Sequence, residues 1–422
     1  MTGKRKRIIN NIELVKNAGF CMGCGMCELA CPNGAIEVLY SPGDGTFTPF
    51  IKKENCTMCG LCLKICYGWY LIERLRGISP EFFNPLNLLG EVYRAYLGYA
   101  TSKVLRFIAS SGGVVTALLN WLLEEGRVDG AIVVRSFAGK VPLAKSIVVK
   151  SKDLLEKTIG SKYMPVLFSN AFKNIDFKKK YVVVGLPCQL YALNKLRKIF
   201  KKYDEAVALT IGLICGGLPT YAGTFYVLRR FGVGRDAVIK DLRHRGHGWP
   251  GYMSFSIDGR KMFISYGKYS KFIFPWFEHK VCRFCLSGLN PFADIVVGDA
   301  WIPSITREDT IGTSIIASRN YQGDRILTEC EKSGKIRLRG VPPFYLLLSE
   351  RNLLRKYSSV PLRLHITNYS KKLNFKLKFI NNSSTMLKDY LREMLYASTF
   401  ILVNRLRLYV VLTYILNILR QR

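Results

Sequence analysis

The chain of 422 residues predicts an α+β / α/β protein in three parts: a small cysteine-dense module, an α/β domain and a basic helical C-terminal tail. Three observations carry that prediction. Eight of the thirteen cysteines fall between Cys21 and Cys66. From Ser102 to about Pro343, short β-branched runs alternate with helical stretches, the pattern of a sheet covered by helices. From about Ile366 onward the chain carries ten Lys or Arg against two acids. These shifts predict boundaries at 1–75 for the first module, 76–100 for a connecting segment, 101–345 for the α/β domain and 346–422 for the tail.

The first module is defined by two cysteine runs. Cys21, Cys24, Cys27 and Cys31 stand at x2, x2 and x3 spacing and are followed by Pro32; Cys56, Cys59, Cys62 and Cys66 repeat the spacing. Three thiolates two residues apart wrap three corners of a cubane, while the fourth points to the neighbouring cluster. The motif is therefore that of a bacterial ferredoxin with two [4Fe–4S] clusters. Cluster I takes Cys21, Cys24, Cys27 and Cys66; cluster II takes Cys56, Cys59, Cys62 and Cys31. Zinc sites use two spaced pairs instead. Tyr67 stands where the second run would ordinarily continue with Pro, and a shifted potential is the most that this exchange predicts. Such clusters move single electrons and make no bonds by themselves.

In the α/β domain four runs read as strands: Ala131–Arg135, Tyr181–Val184, Ala206–Ile214 and Asp294–Val297. Three further features stand out. Ala109-Ser-Ser-Gly-Gly113 opens the helical stretch Val114–Glu125, and such a turn presents backbone N–H groups to a phosphate, although many helices begin after Ser-Gly. Cys188 and Cys215 close two strands, and Cys282 and Cys285 form a CxxC. These four could enclose a third cluster, be buried structural cysteines, or include a zinc or redox pair. Cys330 reads as core. Arg243-His-Arg-Gly-His-Gly-Trp-Pro-Gly251 is a shaped loop whose cations suit an acidic ligand or form a basic surface turn.

An apolar content of 49% is ample for a large core. The net charge of +33 would attract anionic partners, but the lysines are scattered and no nucleic-acid module is present. No signal peptide is recognisable, and clustered cysteines at metal spacing predict a cytoplasmic protein. The tail ends in Met394–Leu419, apolar but interrupted by Arg405 and Arg407. Each arginine costs roughly 2.5–3.5 kcal/mol at the centre of a membrane span. The segment instead fits peripheral contact with an anionic membrane or a partner, or a terminal helix pair closing the protein's own core.

Seven segments occur in an order that resembles the coenzyme F420 hydrogenase/dehydrogenase beta-subunit family: Ala109–Leu119, Gly160–Pro165, Gly185–Gln189, Ile211–Cys215, Arg245–Gly251, Val281–Cys285 and Ala293–Trp301. The likeness runs from about residue 20 to about 320. It implies an FAD held by Ser110, Ser111, Gly112, Gly113 and Thr116, completed by Ser161, Lys162 and Tyr163. It implies a third [4Fe–4S] cluster on Cys188, Cys215, Cys282 and Cys285. Arg243, Arg245 and His247 would suit the phosphate and glutamate tail of coenzyme F420, a 5-deazaflavin. FAD exchanges both hydride and single electrons, so electrons would pass between coenzyme F420 and the proximal cluster, then on to clusters II and I. Alternatives are a ferredoxin-driven reductase of another organic substrate, or a non-catalytic relay subunit. The redox partner would be a hydrogenase, dehydrogenase, reductase or ferredoxin. Leu286–Asn290 departs from relatives that carry an acidic residue soon after the CxxC.

Overall fold

The computed structural model describes residues 10–76, 85–140 and 143–366. The tail from 367 onward, with the apolar stretch and its two arginines, lies outside the described residues.

The first module carries a hairpin, β1 (Ile36–Ser41) and β2 (Thr46–Ile51), between its two cysteine runs. The central sheet has nine strands: β3 (Arg94–Ala100), β4 (Gly130–Phe137), β5 (Leu143–Val149), β6 (Val166–Leu167), β7 (Tyr181–Gly185), β8 (Val207–Leu213), β12 (Ile295–Asp299), β13 (Ser314–Ser318) and β14 (Ile336–Val341). The remaining strands, β9 (Lys240–Arg243), β10 (Tyr252–Ile257) and β11 (Arg260–Ser265), form a small antiparallel sheet.

The order across the large sheet is β14-β3-β13-β12-β8-β7-β4-β5-β6. The four runs read from the sequence are β12, β8, β7 and β4, which are consecutive and mutually parallel. Parallel strands are covered on both faces and therefore read as continuous apolar runs; every residue of β7 is buried. The flanking pairs β12·β13, β13·β3 and β3·β14 are antiparallel, so the sheet is mixed. β3 falls in the expected connecting segment yet lies between β14 and β13, and four of its consecutive residues are buried.

One hydrophobic cluster runs from Ile12 and Phe20 of the first module through Val183 and Val296 of the sheet to Leu353 and Leu364. The helices Tyr345–Ser349, Arg351–Ser358 and Val360–Ile366 are thus packed into the molecule, although the sequence assigned nearly all of them to the tail. Leu353 and Tyr357, four apart on one helix face, supply the apolar contact. No helix among the described residues is long and apolar enough to cross a membrane.

Candidate functional site

Both cysteine runs of the first module turn through a left-handed glycine, Gly25 (φ 80°) before Met26–Ala30 and Gly60 (φ 76°) before Leu61–Lys64. A Cβ at Gly25 would lie 2.2 Å from Ser169 Oγ, so glycine lets this turn press against the α/β domain. The contact is polar as well: Ser169 N–H donates to Cys24 O at 3.1 Å and Ser169 Oγ donates to Glu28 at 3.0 Å.

The thiols sort into groups by their mutual interaction. Burial pushes Cys21 up to about 12, with Cys24 adding. Burial also holds Cys27 well above the ordinary thiol range, with Cys21, Cys24 and Cys66 adding and Cys62 acting last. Cys62 is pushed up to about 11 by burial, with Cys59 and Cys31 adding. Cys21, Cys24, Cys27 and Cys66 are therefore one neighbourhood, and Cys31, Cys59 and Cys62 belong to another. Asn11 Nδ2 donates to Cys56 Sγ at 3.5 Å.

A third neighbourhood forms where the parallel strands end. Cys188 lies in the first turn of the helix Pro187–Ile199 after β7, and Cys215 lies two residues beyond β8. β7 and β8 are parallel neighbours, so both cysteines emerge on the same side. The 3-10 turn Lys280–Phe284 carries Cys282, and Cys285 follows it. Asn290 ties this loop to both strands, its Nδ2 donating to Gly185 O (3.2 Å) and Leu213 O (3.1 Å). Cys215 N–H donates to Gly288 O at 2.9 Å. The segment that departed from the family pattern is thus a clamp.

Cys188, Cys215, Cys282 and Cys285 line one cavity together with Tyr67 and Lys356. Burial holds Cys188 and Cys282 well above the ordinary thiol range and pushes Cys215 up to about 11. After burial, the first influence on Cys188 is Cys24. The dicluster thiol that acts on Cys188 is therefore Cys24, of the group with Cys21, Cys27 and Cys66.

Sequence reasoning missed two residues of this cavity. Tyr67 is 3% exposed, and its Oη lies 3.2 Å from Cys285 Sγ. Burial first, and then the Cys285 charge, hold its phenol well above the ordinary tyrosine value. Lys356 pairs with Glu278 and donates to Gly216 O at 2.5 Å. Its charge lowers Cys215 and Cys282, while Glu278 raises both. The exchange of Pro for Tyr67 was a visible signal; nothing in the spacing of Lys356 announced a role.

The other expected residues collect around the Ser110 turn, the Ser161 segment and the loop that begins at Arg243. Ser161 Oγ donates to Ser110 Oγ at 2.8 Å, and Ser110 Oγ donates to Arg245 O at 3.3 Å. Ser111 Oγ lies 3.0 Å from Ser314 Oγ, which also accepts from Gly112 N–H at 3.0 Å. A Cβ at Gly112 would stand 2.6 Å from Gly98 O. Ser111 and Gly112 are thus spent on seating the turn against β3 and β13. Gly113 (φ 76°) caps the helix Val114–Glu124, and Thr116 is half-buried within its first turn.

Lys162 Nζ donates to the carbonyls of Thr158, Ile159 (3.1 Å) and Gly160 (2.8 Å). Burial, then Arg243 and Arg135, lower its ammonium to about 7. Tyr163 N–H donates to His244 Nδ1 at 3.2 Å, and burial, then Lys162, hold His244 down at about 3. The expected basic loop is only partly basic at its surface. Arg243 and His247 are partly exposed, but Arg245 is 2% exposed and paired with Asp299. Asp299 Oδ1 also accepts from Trp249 Nε1 at 2.8 Å. Arg245 therefore has its charge met within the protein; Asp299 stands in the last of the seven family-like segments, but its pairing was not legible there.

Comparison with known proteins fits this geometry. Residues 95–173 match the N-terminal part, and residues 178–343 the C-terminal part, of the family described as "Coenzyme F420 hydrogenase/dehydrogenase, beta subunit". Residues 20–67 match a 4Fe-4S dicluster domain. A coenzyme F420-dependent sulfite reductase of Methanocaldococcus jannaschii is 28% identical over 334 residues, covering 75% of this chain and 47% of the relative. One subunit of the F(420)H(2) dehydrogenase of Methanosarcina mazei is 27% identical, covering 46% of this chain and 53% of the relative. The chain thus spans about half the length of these two relatives. The beta subunit of a coenzyme F420 hydrogenase of Methanothermobacter thermautotrophicus is 22% identical, covering 58% of this chain and 84% of the relative. Together with the cysteine sites and the mixed sheet, the matched segments establish that the chain belongs to the coenzyme F420 hydrogenase/dehydrogenase beta-subunit family and carries a 4Fe-4S dicluster domain ahead of the family region.

Proposed function

We propose that this chain is an iron–sulfur flavoprotein oxidoreductase that passes electrons between coenzyme F420 and [4Fe–4S] clusters by way of FAD. The observation that carries the reading is the cavity shared by Cys188, Cys215, Cys282 and Cys285, which adjoins Cys24 and Tyr67 of the dicluster domain. Buried thiols such as Cys188 and Cys282 are costly to ionise unless a metal centre answers their charge. The donor set fits a third cluster, and each of the four cysteines would ligate one corner.

FAD, when bound, exchanges a hydride with a deazaflavin and single electrons with iron–sulfur clusters. The residues fit its phosphates in part. Lys162, with Arg135 and Arg243 near it, is a half-buried cationic site complementary to a pyrophosphate. Ser110 and Ser161 offer adjacent hydroxyls, Gly113 and Thr116 open the helix that follows Ser110, and Tyr163 follows Ser161 in the chain. Ser111 and Gly112 make polar contacts to Ser314 within the protein, as Ser110 and Ser161 do to each other and to Arg245. Arg243 and His247 remain to receive the anionic tail of coenzyme F420, whereas Arg245 orients the loop through Asp299. Several relatives are named as subunits, which supports a role beside a redox partner protein.

Anaerobic purification with iron, sulfide and flavin counts tests the reading, followed by mixing with reduced coenzyme F420, NADH or NADPH. The expected result is about twelve irons, one FAD and bleaching by reduced coenzyme F420. Eight irons remove the third cluster, and bleaching by NADH alone removes the deazaflavin.

A further inference from the structure

The peptide that closes the dicluster motif also reaches the third thiol set. Cys66 belongs to the Cys21/Cys24/Cys27 neighbourhood, and the next residue, Tyr67, reaches into the four-cysteine cavity. Its ring is held from several sides: the centroids of Tyr191 and Tyr70 lie at 5.6 Å and 5.7 Å, and that of Phe292 at 6.3 Å. The helix that begins at Tyr67 is anchored by Tyr70 N–H donating to Cys66 O at 3.0 Å. The phenol is thus fixed in direction, with its oxygen 3.2 Å from Cys285 Sγ. Proline at this position would supply neither the ring nor the hydroxyl.

We propose that Tyr67 donates a hydrogen bond to the Cys285 sulfur of the third cluster, raising that cluster's potential and coupling it to cluster I through Cys66. The proposal rests on the reading of the four-cysteine cavity as a cluster site. A ligating cysteine is a thiolate with no proton to give, so the phenol is the donor of this pair. A donor on a cluster sulfur stabilises the extra negative charge of the reduced state, which moves the potential upward. One electron leaves the third cluster and one enters cluster I, or the reverse. The tyrosine is neither oxidised nor deprotonated; it is a positioning residue. The link from Cys285 Sγ to Cys66 is one hydrogen bond and then continuous covalent structure.

The test is Tyr67→Phe in the full chain, with iron and sulfide counted and the clusters titrated by EPR-monitored reduction. The expected result is unchanged iron and a third-cluster potential displaced downward by a tenfold change in equilibrium, about 59 mV for one electron, while clusters I and II stay in place. Tyr70→Phe, whose hydroxyl accepts from Arg74 instead, should leave all three potentials unmoved. If Tyr67→Phe loses iron, 3-fluorotyrosine at position 67 decides the matter: it keeps the ring and strengthens the donor, so the third potential should rise. An unmoved potential in either iron-replete protein overturns the role of Tyr67 and leaves the third cluster standing. A parent protein with only eight irons overturns the cluster reading itself, and the proposal with it.

Discussion

The thiol cavity and the Lys162 site belong to one domain, yet they gather opposite chemistry. In the cavity the buried groups are thiols that desolvation keeps protonated, and the nearby Lys356 is already matched by Glu278. Around Lys162 the half-buried groups are cations, and desolvation plus two arginines push the ammonium down to about 7. Each region is poised for a ligand of the other sign: a metal centre that favours thiolates, and an anion that favours the charged lysine. Under the proposed reading, charge alone would sort the two cofactors of this domain.

The largest effect that could break this comparison is compositional. Cys282→Ser should remove about a third of the iron and leave the ferredoxin-type signals intact, since the proposed third cluster would be one of three. Loss of all iron on this substitution would mean that the regions are not separable. Next in size is Asp299→Ala, which leaves the 2% exposed Arg245 guanidinium unpaired. Breaking a buried pair costs about 3–5 kcal/mol, read as a lowered denaturation midpoint; an unchanged midpoint would show that Arg245 does not depend on Asp299.

A pH experiment sharpens the cationic side. Lys162 has a folded value near 7 against 10.5 unperturbed, so between those values the unfolded chain holds the extra proton. Its contribution to stability therefore rises with pH across that window, and its penalty is fully present below about 7. Pyrophosphate binding should run the opposite way and weaken as pH climbs past 7, because the charged lysine is lost while Arg135 and Arg243 remain. Lys162→Met should flatten both profiles, and a profile that stays steep assigns the titration elsewhere. The smallest effect is expected for Cys330→Ala: the residue is fully buried in the sheet's second apolar cluster, so about 1 kcal/mol should be lost with no iron.

How much of this was legible varied with the distance over which the chain acts. The eight cysteines of the first module and the runs that became β4, β7, β8 and β12 were readable because ligand spacing and apolar periodicity are local properties. The antiparallel β3 and β13 were not read, since their placement depends on partners more than a hundred residues away. The serine and glycine turn was found, but two of its expected ligand groups are engaged by Ser314, a contact across 202–203 residues.

The sequence by itself determined that a dicluster module sits near the N-terminus and that an α/β domain with the β4, β7, β8 and β12 runs follows, because neighbouring residues suffice to specify both. Only the tertiary structure decided that Cys188, Cys215, Cys282 and Cys285 share a cavity, that Cys24 is the dicluster thiol that acts on Cys188, and that Lys356 from the apparent tail reaches the cavity. It also decided that Arg245 is answered by Asp299 and that Tyr67 faces Cys285, across 218 residues. Those contacts arise from how the strand ends, the loop and the C-terminal helices pack together, and no spacing along the chain encodes them.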